Sequence, residues 1–401
     1  MRIIEVKDTA TRKAFHQFPK DLYKGDSNWV APLEVMVDST FDPQKNAFYK
    51  HGDGTRWILT DDNGRTIGRI AAFFNGNKAY TFQQPTGGVG YFECIDNREA
   101  AFLLFDTAKG WLSERGMEAM DGPVNFGENL INWGLLVKGF EPQGFGMPYN
   151  KPYYQGLFEA YGFQVYFEQY SYHLNHKDPF PERFWKIAEW VAQKPNFRFE
   201  HVRFSHLEKY IGDFVKIYDQ AWARHDNHQS VDLDDIRGMM RMAKLIADEE
   251  FIWFVYHNDE PVLFFGMIPD WNQILAKLNG KVNFWNLLKF LWYKKMHVIT
   301  RARILIMGVV PKFQGTGLES AVFWHLDKVM KRKLWYNQVE LSWVGDFNPK
   351  MVAMYKSVGG IHAKTHYTMR YLFDRDVPFE RAPMLMKEVR LLKEERKSEE
   401  G

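Results

Sequence analysis

The sequence predicts an α/β protein, mixed sheets flanked by helices, in which one order of elements occurs twice. Two observations carry that expectation. Between Ile304 and Leu326 an apolar, β-branched run passes through a Gln314-Gly315-Thr316-Gly317 turn straight into a helical pattern. The order of elements around that stretch is repeated upstream, between residues 1 and 176. The expected division is a first domain over residues 1–176 and a second over 177–401. The boundary falls at Asn175-His176-Lys177-Asp178-Pro179-Phe180-Pro181, where two prolines and polar residues interrupt the pattern.

A chain of 401 residues is long enough for two or three domains with sizeable cores. Its 14 Trp and 33 Phe mark it as globular rather than disordered. A net charge of +2 gives no strong pull toward nucleic acid. The single Cys94 excludes an intramolecular disulfide and a multi-cysteine metal site, and suits a reducing cytosol. Arg2, Glu5, Lys7 and Asp8 interrupt any signal-like apolar run, and no stretch approaches the roughly 20 apolar residues that span a bilayer. The expectation is a soluble, cytoplasmic protein.

In the first half, Ile3, Ile4 and Val6 suggest a strand, and Thr9 to Leu22 a helix capped near Asp8. Trp57–Thr60 and Thr66–Phe74, joined through Asp61-Asp62-Asn63-Gly64, read as a hairpin. Strands follow at Val89–Ile95, from Met117 and over Val165–Leu174; helices follow at Arg98–Arg115 and Tyr153–Tyr161. Asp121 to Asn150 is a long Gly/Pro/Asn loop set with aromatics, of the kind that is often functional. In the second half, helices are expected at Glu182–Gln193, Ser205–Ala223 and Asp232–Ala247, and a hairpin at Phe251–Ile268. Arg224-His225-Asp226-Asn227-His228 carries two histidines and an aspartate, but no further ligands at matching spacing, so no metal is expected. Residues 281–295 are apolar around most of a helix, with lysines at both ends. The favoured reading is a helix buried between the halves or lining an acyl pocket; the alternative is peripheral contact with a membrane surface. Met386 to Gly401, rich in Lys, Arg and Glu, reads as a solvated, frayed helix.

Strand, glycine turn and helix together point free backbone N–H groups at an anion, and the helix dipole adds to the attraction. The same pattern also makes an ordinary tight turn. Downstream, Val339–Trp343 alternates like a strand. Asn348 is then placed as an N-cap with Pro349 at the first helical position, and Gly359-Gly360 closes that helix. This order resembles the GCN5-related N-acetyltransferase superfamily. Its acyl-CoA loop, Gln/Arg-x-x-Gly-x-Gly/Ala, is similar to Gln314-Gly315-Thr316-Gly317-Leu318-Glu319, and its later Asn…Leu-Tyr…Gly-Phe helix to Asn348…Met354-Tyr355…Gly359-Gly360. Glu319 stands where the family has a small residue, and Gly360 where it has Phe. In the first half, Asn150…Tyr153-Tyr154…Leu157-Phe158…Gly162-Phe163 resembles the same late helix. The phosphate-loop place there reads Ile95-Asp96-Asn97-Arg98-Glu99-Ala100, with no glycine and two carboxylates. The first copy is therefore expected to be degenerate, a scaffold or acceptor wall.

The resemblance implies direct acyl transfer from acetyl-CoA or a longer acyl-CoA to a small-molecule or peptide amine. It places Val309, Val310, Gln314, Gly315, Thr316, Gly317, Leu318 and Asn348 at the cofactor and makes Tyr355 the proton donor to the leaving thiolate. Asp270, Glu340 and His225 are the candidate bases. Two other classes stay open: an aminoacyl transferase of the Fem type using charged tRNA, and a non-catalytic binding or membrane-surface module.

Overall fold

The computed structural model describes residues 1–128, 130–222 and 233–385. The first half runs β1 (Arg2–Glu5), α1 (Thr9–Leu22), α2 (Glu34–Thr40), the hairpin β2 (Gly52–Thr60) and β3 (Thr66–Asn75), α3 (Gly76–Ala79), β4 (Thr86–Cys94), α4 (Arg98–Ser113), β5 (Ala119–Gly122), β6 (Leu135–Lys138), α5 (Tyr154–Tyr161) and β7 (Gln164–Asn175). The second runs α6 (Glu182–Ala192), β8 (Phe197–His201), α7 (Leu207–Trp222), α8 (Leu233–Ile246), the hairpin β9 (Ile252–His257) and β10 (Glu260–Pro269), α9 (Asn272–Leu275), α10 (Phe284–Lys295), β11 (Arg301–Val309), α11 (Leu318–Arg332), β12 (Gln338–Gly345), α12 (Pro349–Ser357) and β13 (Ile361–Leu372).

Strand alternation sorts the cores. On β2, Trp57 and Leu59 face the core under α4 and α5, while Ile58 faces Phe15 and Val37 of α1 and α2. On β9, Trp253 and Val255 join the core under α6 and α11, while Phe254 and Tyr256 pack against α7. Helix starts follow the expected chemistry: Asp8 closes a capping box on α1, and Asn348 accepts from the Met351 N–H at 3.2 Å with Pro349 behind it.

The described strands form one continuous sheet, in the order β1-β2-β3-β4-β5-β13-β7-β12-β11-β10-β9-β8, with β6 also on β13. The two closing strands are exchanged. β13 pairs with β5 of the first half, and β7 pairs with β12 of the second. They pair with each other in the centre over Ile361–Arg370. Arg370 reaches both oxygens of Asp121 at 2.7 and 2.8 Å, which pins β13 to β5 inside the sheet.

One expectation is overturned. α10 is not buried between the halves: none of its residues is buried, and Phe284, Trp285, Leu291 and Trp292 stand out into solvent. Only Asn286, Phe290 and Tyr293 turn inward, with Phe290 stacked on Trp271. Among the described residues no helix is long and apolar enough to cross a membrane. The 224–228 segment, with His225, and the tail from Met386 lie outside the described residues.

Candidate active site

The sheet splits between β11 and β12. The two strands pair in parallel from Arg301↔Gln338 to Ile304↔Leu341, and there the ladder stops. Leu305 is an extra residue against β10, and β12 shifts register between Leu341 and Val344 against β7. A bulge bends its strand and ends local pairing. Leu305, Ile306 and Met307 are consequently half-exposed within an otherwise buried strand. Past the split the Val310 N–H donates to the Val262 carbonyl at 3.0 Å. This corrects the expectation for Val310, whose donor is spent inside the sheet. Alternation along an antiparallel strand turns the Val309 N–H the other way, toward the open side.

The split leads to the glycine turn. Gln314 Nε2 donates to the Val309 carbonyl at 3.1 Å, and Thr316 Oγ1 to the Phe313 carbonyl at 2.6 Å, so both side chains brace the loop. Gly315 and Gly317 have φ of +73° and +86°, in the left-handed region that favours glycine. A Cβ on Gly317 would lie 3.1 Å from Ile187 and Val191, because α6 packs on the loop at that point; beside Gly315 the space is open. The first N–H groups of α11 have no carbonyl partner within the helix. Leu318 is fully buried and offers only its backbone. Glu319 turns its carboxylate back on these donors: burial pushes its pKa up, while the N–H groups of Glu319 and Gly315 pull it down. The start of the helix thus carries an acceptor of its own for these N–H groups.

Asp270 and Glu340 are brought together, but not at the turn. Both are fully buried. Asp270 takes Arg301 Nε at 2.8 Å and Nη2 at 2.7 Å, and its other oxygen accepts from the N–H groups of Phe145 and Asn272 at 2.8 and 3.2 Å. Glu340 accepts from Lys364 at 2.9 Å, with Arg301 at 3.6 Å and His173 at 3.7 Å. Burial pushes the Glu340 carboxyl up, yet Lys364, His173 and Arg301 hold it well below the usual carboxylate range. Glu340 lies opposite Arg303, six residues before Val309, so roughly 20 Å of strand separates it from the turn. Both carboxylates are committed to buried ion pairs, a role that the expectation of two general bases did not include.

These groups anchor a loop. Arg301 Nη2 donates to the carbonyls of Pro142 and Gln143 at 3.2 and 3.3 Å, and Asn272 Nδ2 to those of Gln143 and Gly144 at 3.2 and 3.0 Å. Arg303 holds the carbonyls of Phe145 and Leu130 and donates to Ser342 Oγ at 2.7 Å. The long loop set of the first half is therefore clamped onto β11 at the root of the split. Tyr355 is buried beside Tyr172; burial pushes its hydroxyl pKa up and the Arg303 charge opposes that. The Asn348 side chain is occupied in capping α12.

The same loop walls a cavity of about 140 Å3 in the first half. Ile131, Asn132, Phe145 and Gly146 form one side, Leu33 and Met36 another, and Asn272 and Leu275 of the second half complete it. It lies beside the end of the β4–β5 pairing after Gly88, next to a bulge that holds Tyr91 at φ +51°. Arg69, Glu93 and Tyr154 line it as well. Tyr23 and Tyr154 each donate to Glu93 Oε2 at 2.7 Å, and Arg69 stands 3.5 Å from Oε1. Burial pushes Glu93 up, against the pull of Arg69 and the two hydroxyls. The sequence reading passed over this cluster. Its signal was Arg69 and Glu93 as single charges inside apolar strands, where a charge needs a partner. At the loop place of the first copy, Asn97 caps α4 by accepting from the Ala100 N–H at 2.8 Å.

A mixed sheet that splits beside a glycine turn at a helix start, preceded in the same chain by a second copy of the element order that lacks the glycine turn, has the tandem GCN5-related N-acyltransferase fold. The solved structure of a tandem GNAT protein from the clavulanic acid biosynthesis pathway superposes with a TM-score of 0.58 at 11% identity, covering 94% of this chain and 99% of that one. Among proteins of known sequence, the chain is 28% identical over 378 residues to the bacterial ceramide synthase of Caulobacter vibrioides (strain NA1000 / CB15N), covering 91% of this chain and 96% of the relative. It is 25% identical to protein YghO of Escherichia coli (strain K12), covering 86% and 89%. No family model matches the chain.

Proposed function

We propose that this chain is an acyl-CoA-dependent N-acyltransferase whose acceptor is a long-chain amine, giving a ceramide-type amide. The observation that carries the reading is the split between β11 and β12, which opens onto the glycine turn at the start of α11. The likeness to a bacterial ceramide synthase over nine-tenths of the chain supports the lipid acceptor.

In the reaction the amine nitrogen attacks the thioester carbonyl carbon, the C–S bond breaks, the amine loses a proton and the thiolate gains one. The protein must hold both partners in register and stabilise the charge that develops on oxygen. Backbone N–H groups at the turn and at the start of α11 receive the phosphates, with Gly315 leaving room for them. The Val309 N–H faces the open side and serves the carbonyl oxygen. Tyr355 returns the proton to sulfur, and solvent in the split receives the proton of the amine, since Asp270 and Glu340 are spent as anchors. The loop that Arg303 holds at the root of the split is also the wall of the first-half cavity, so the apolar part of the amine is assigned to that cavity.

The test is calorimetry with acetyl-CoA and palmitoyl-CoA on the wild type, Gly315→Asn and Gly315→Asp. Asn and Asp both tolerate the left-handed backbone and differ by one charge. The aspartate is expected to bind either ester roughly ten- to a hundredfold more weakly than the asparagine. No binding by the wild type at millimolar ligand sinks the reading. Turnover restricted to acetyl-CoA and short amines removes the lipid acceptor and leaves the N-acyltransferase.

A further inference from the structure

We propose that α10, together with the exposed edge of α2, docks this protein on the surface of an anionic lipid bilayer beside the first-half cavity. The proposal deepens the proposed function by stating where a lipid amine is met; it rests on that reading for its purpose, though not for the binding itself.

Four observations support it. First, α10 is amphipathic in an unusual sense. At about 100° per residue, Phe284, Trp285, Leu288, Leu291 and Trp292 share one broad arc, opposite the inward residues Asn286, Phe290 and Tyr293. Trp285 is 71% exposed and Phe284 65%. An apolar surface of this kind on a folded protein marks a site of contact. Second, charge frames the arc: Lys289 and Lys294 fall on its two edges, and Lys281 and Lys295 bracket the helix. No acidic residue occurs anywhere between Asp270 and Glu319. That balance fits a negatively charged surface, and a tryptophan with flanking lysines is the composition of a helix lying in the headgroup layer.

Third, the patch continues to the cavity. The Glu34 N–H at the start of α2 donates to the Gly280 carbonyl at 3.1 Å, in the turn that leads into α10. Val35 and Met36, exposed on α2, extend the apolar surface, and Met36 also lines the cavity. On the other side Leu275 of α9 lines the cavity, and Trp271 just before it carries the stacked Phe290 of α10. Fourth, α10 is firmly seated: Asn283 caps it by accepting from the Asn286 N–H at 2.9 Å, and Asn286 Nδ2 donates to the carbonyls of Leu278 and Lys281 at 3.0 and 2.8 Å. The apolar arc is thus presented outward by a fixed helix.

The experiment is flotation of the full chain with vesicles of phosphatidylcholine alone and of equimolar phosphatidylcholine and phosphatidylglycerol, at low and high salt. Two variants run beside it: Trp285→Ser/Leu288→Ser/Leu291→Ser, and Lys289→Glu/Lys294→Glu/Lys295→Glu. The wild type is expected to float with the anionic vesicles, far less with neutral ones or at high salt, and each variant to lose at least tenfold in bound fraction. Circular dichroism establishes that the variants fold. Failure of the wild type to float with anionic vesicles overturns the proposal. So does flotation that neither variant reduces, or a wild-type dimer, seen by sedimentation, that the serine variant alone dissociates. Turnover of a water-soluble amine is measured in parallel. Turnover without flotation removes the docking and keeps the enzyme, whereas flotation without acyl-CoA binding removes the enzyme and keeps the docking.

Discussion

Replacing Asp270 by Asn separates two roles that a buried carboxylate near a split sheet invites. As a general base, Asp270 would matter to turnover and little to stability. As the anchor described above, the reverse holds. The carboxylate takes two arms of Arg301 at 2.7 and 2.8 Å and two backbone N–H groups. An amide keeps an acceptor for the Phe145 N–H but turns an NH2 group or a neutral oxygen toward a guanidinium that is itself buried. Breaking a buried pair by removing one partner costs about 3–5 kcal/mol. Glu340 stands 3.6 Å from Arg301 Nη1 and retains part of the attraction, which places the expected loss near the lower end, about 3 kcal/mol. Because Arg301 also holds the carbonyls of Pro142 and Gln143, the loop should loosen before the sheet does. The assay is chemical denaturation, with hydrogen exchange over residues 139–147 and turnover measured on the folded fraction. A stability loss under about 1 kcal/mol, together with a thousandfold fall in turnover, would refute the anchor and restore the base.

Three further outcomes are expected. Tyr355→Phe should slow turnover by at least about tenfold while acyl-CoA affinity stays within about twofold; equal losses in stopped-flow and calorimetry would count against an acid role. Glu319→Gln should tighten acyl-CoA binding roughly fivefold or more by calorimetry, because a carboxylate facing the loop donors competes with phosphate, and an unchanged affinity would remove it as a competitor. Acid should destabilise the fold well above the carboxylate range. Burial holds His366 at about 3, against about 6.5 for the unfolded chain, so the unfolded state binds more protons as pH falls between those values. Stability is then complete above about pH 6.5 and is lost toward pH 3, by up to about 4 kcal/mol from this residue; His366→Gln should flatten that slope in denaturant titrations between pH 7 and 4.

Local chemistry in this chain was legible in the sequence, and non-local partnership was not. Pro311, Gly315 and Gly317 announce the end of a strand and the start of a helix whatever surrounds them, and Asn348-Pro349 announces the next helix. Strand exchange leaves no such mark. β7 and β13 have similar alternation, and nothing within either strand says that Val339 pairs with Leu174 or that Tyr371 pairs with Met120. α10 was misjudged because an apolar helix ordinarily signals burial; the run without acidic residues around it was the better guide to its surroundings. Asp270 and Glu340 looked available because the sequence shows a carboxylate without its partner. The counter-signal lay in Arg301 and Arg303, two cations on one face of an apolar strand, which had to meet buried acceptors.

The exchange bears on what the first half contributes to the second. β7 closes the second-half sheet against β12, the strand that forms one bank of the split. β13 in turn closes the first-half sheet against β5, and the cavity lies beside the point where β5 parts from β4. The Leu130–Phe145 loop crosses between them, held by Arg301 and Arg303 on β11 while lining the cavity on its other face. Each opening in the sheet is therefore built with material from both halves. The first half thus closes the second-half sheet through β7 and supplies the loop that lies between split and cavity.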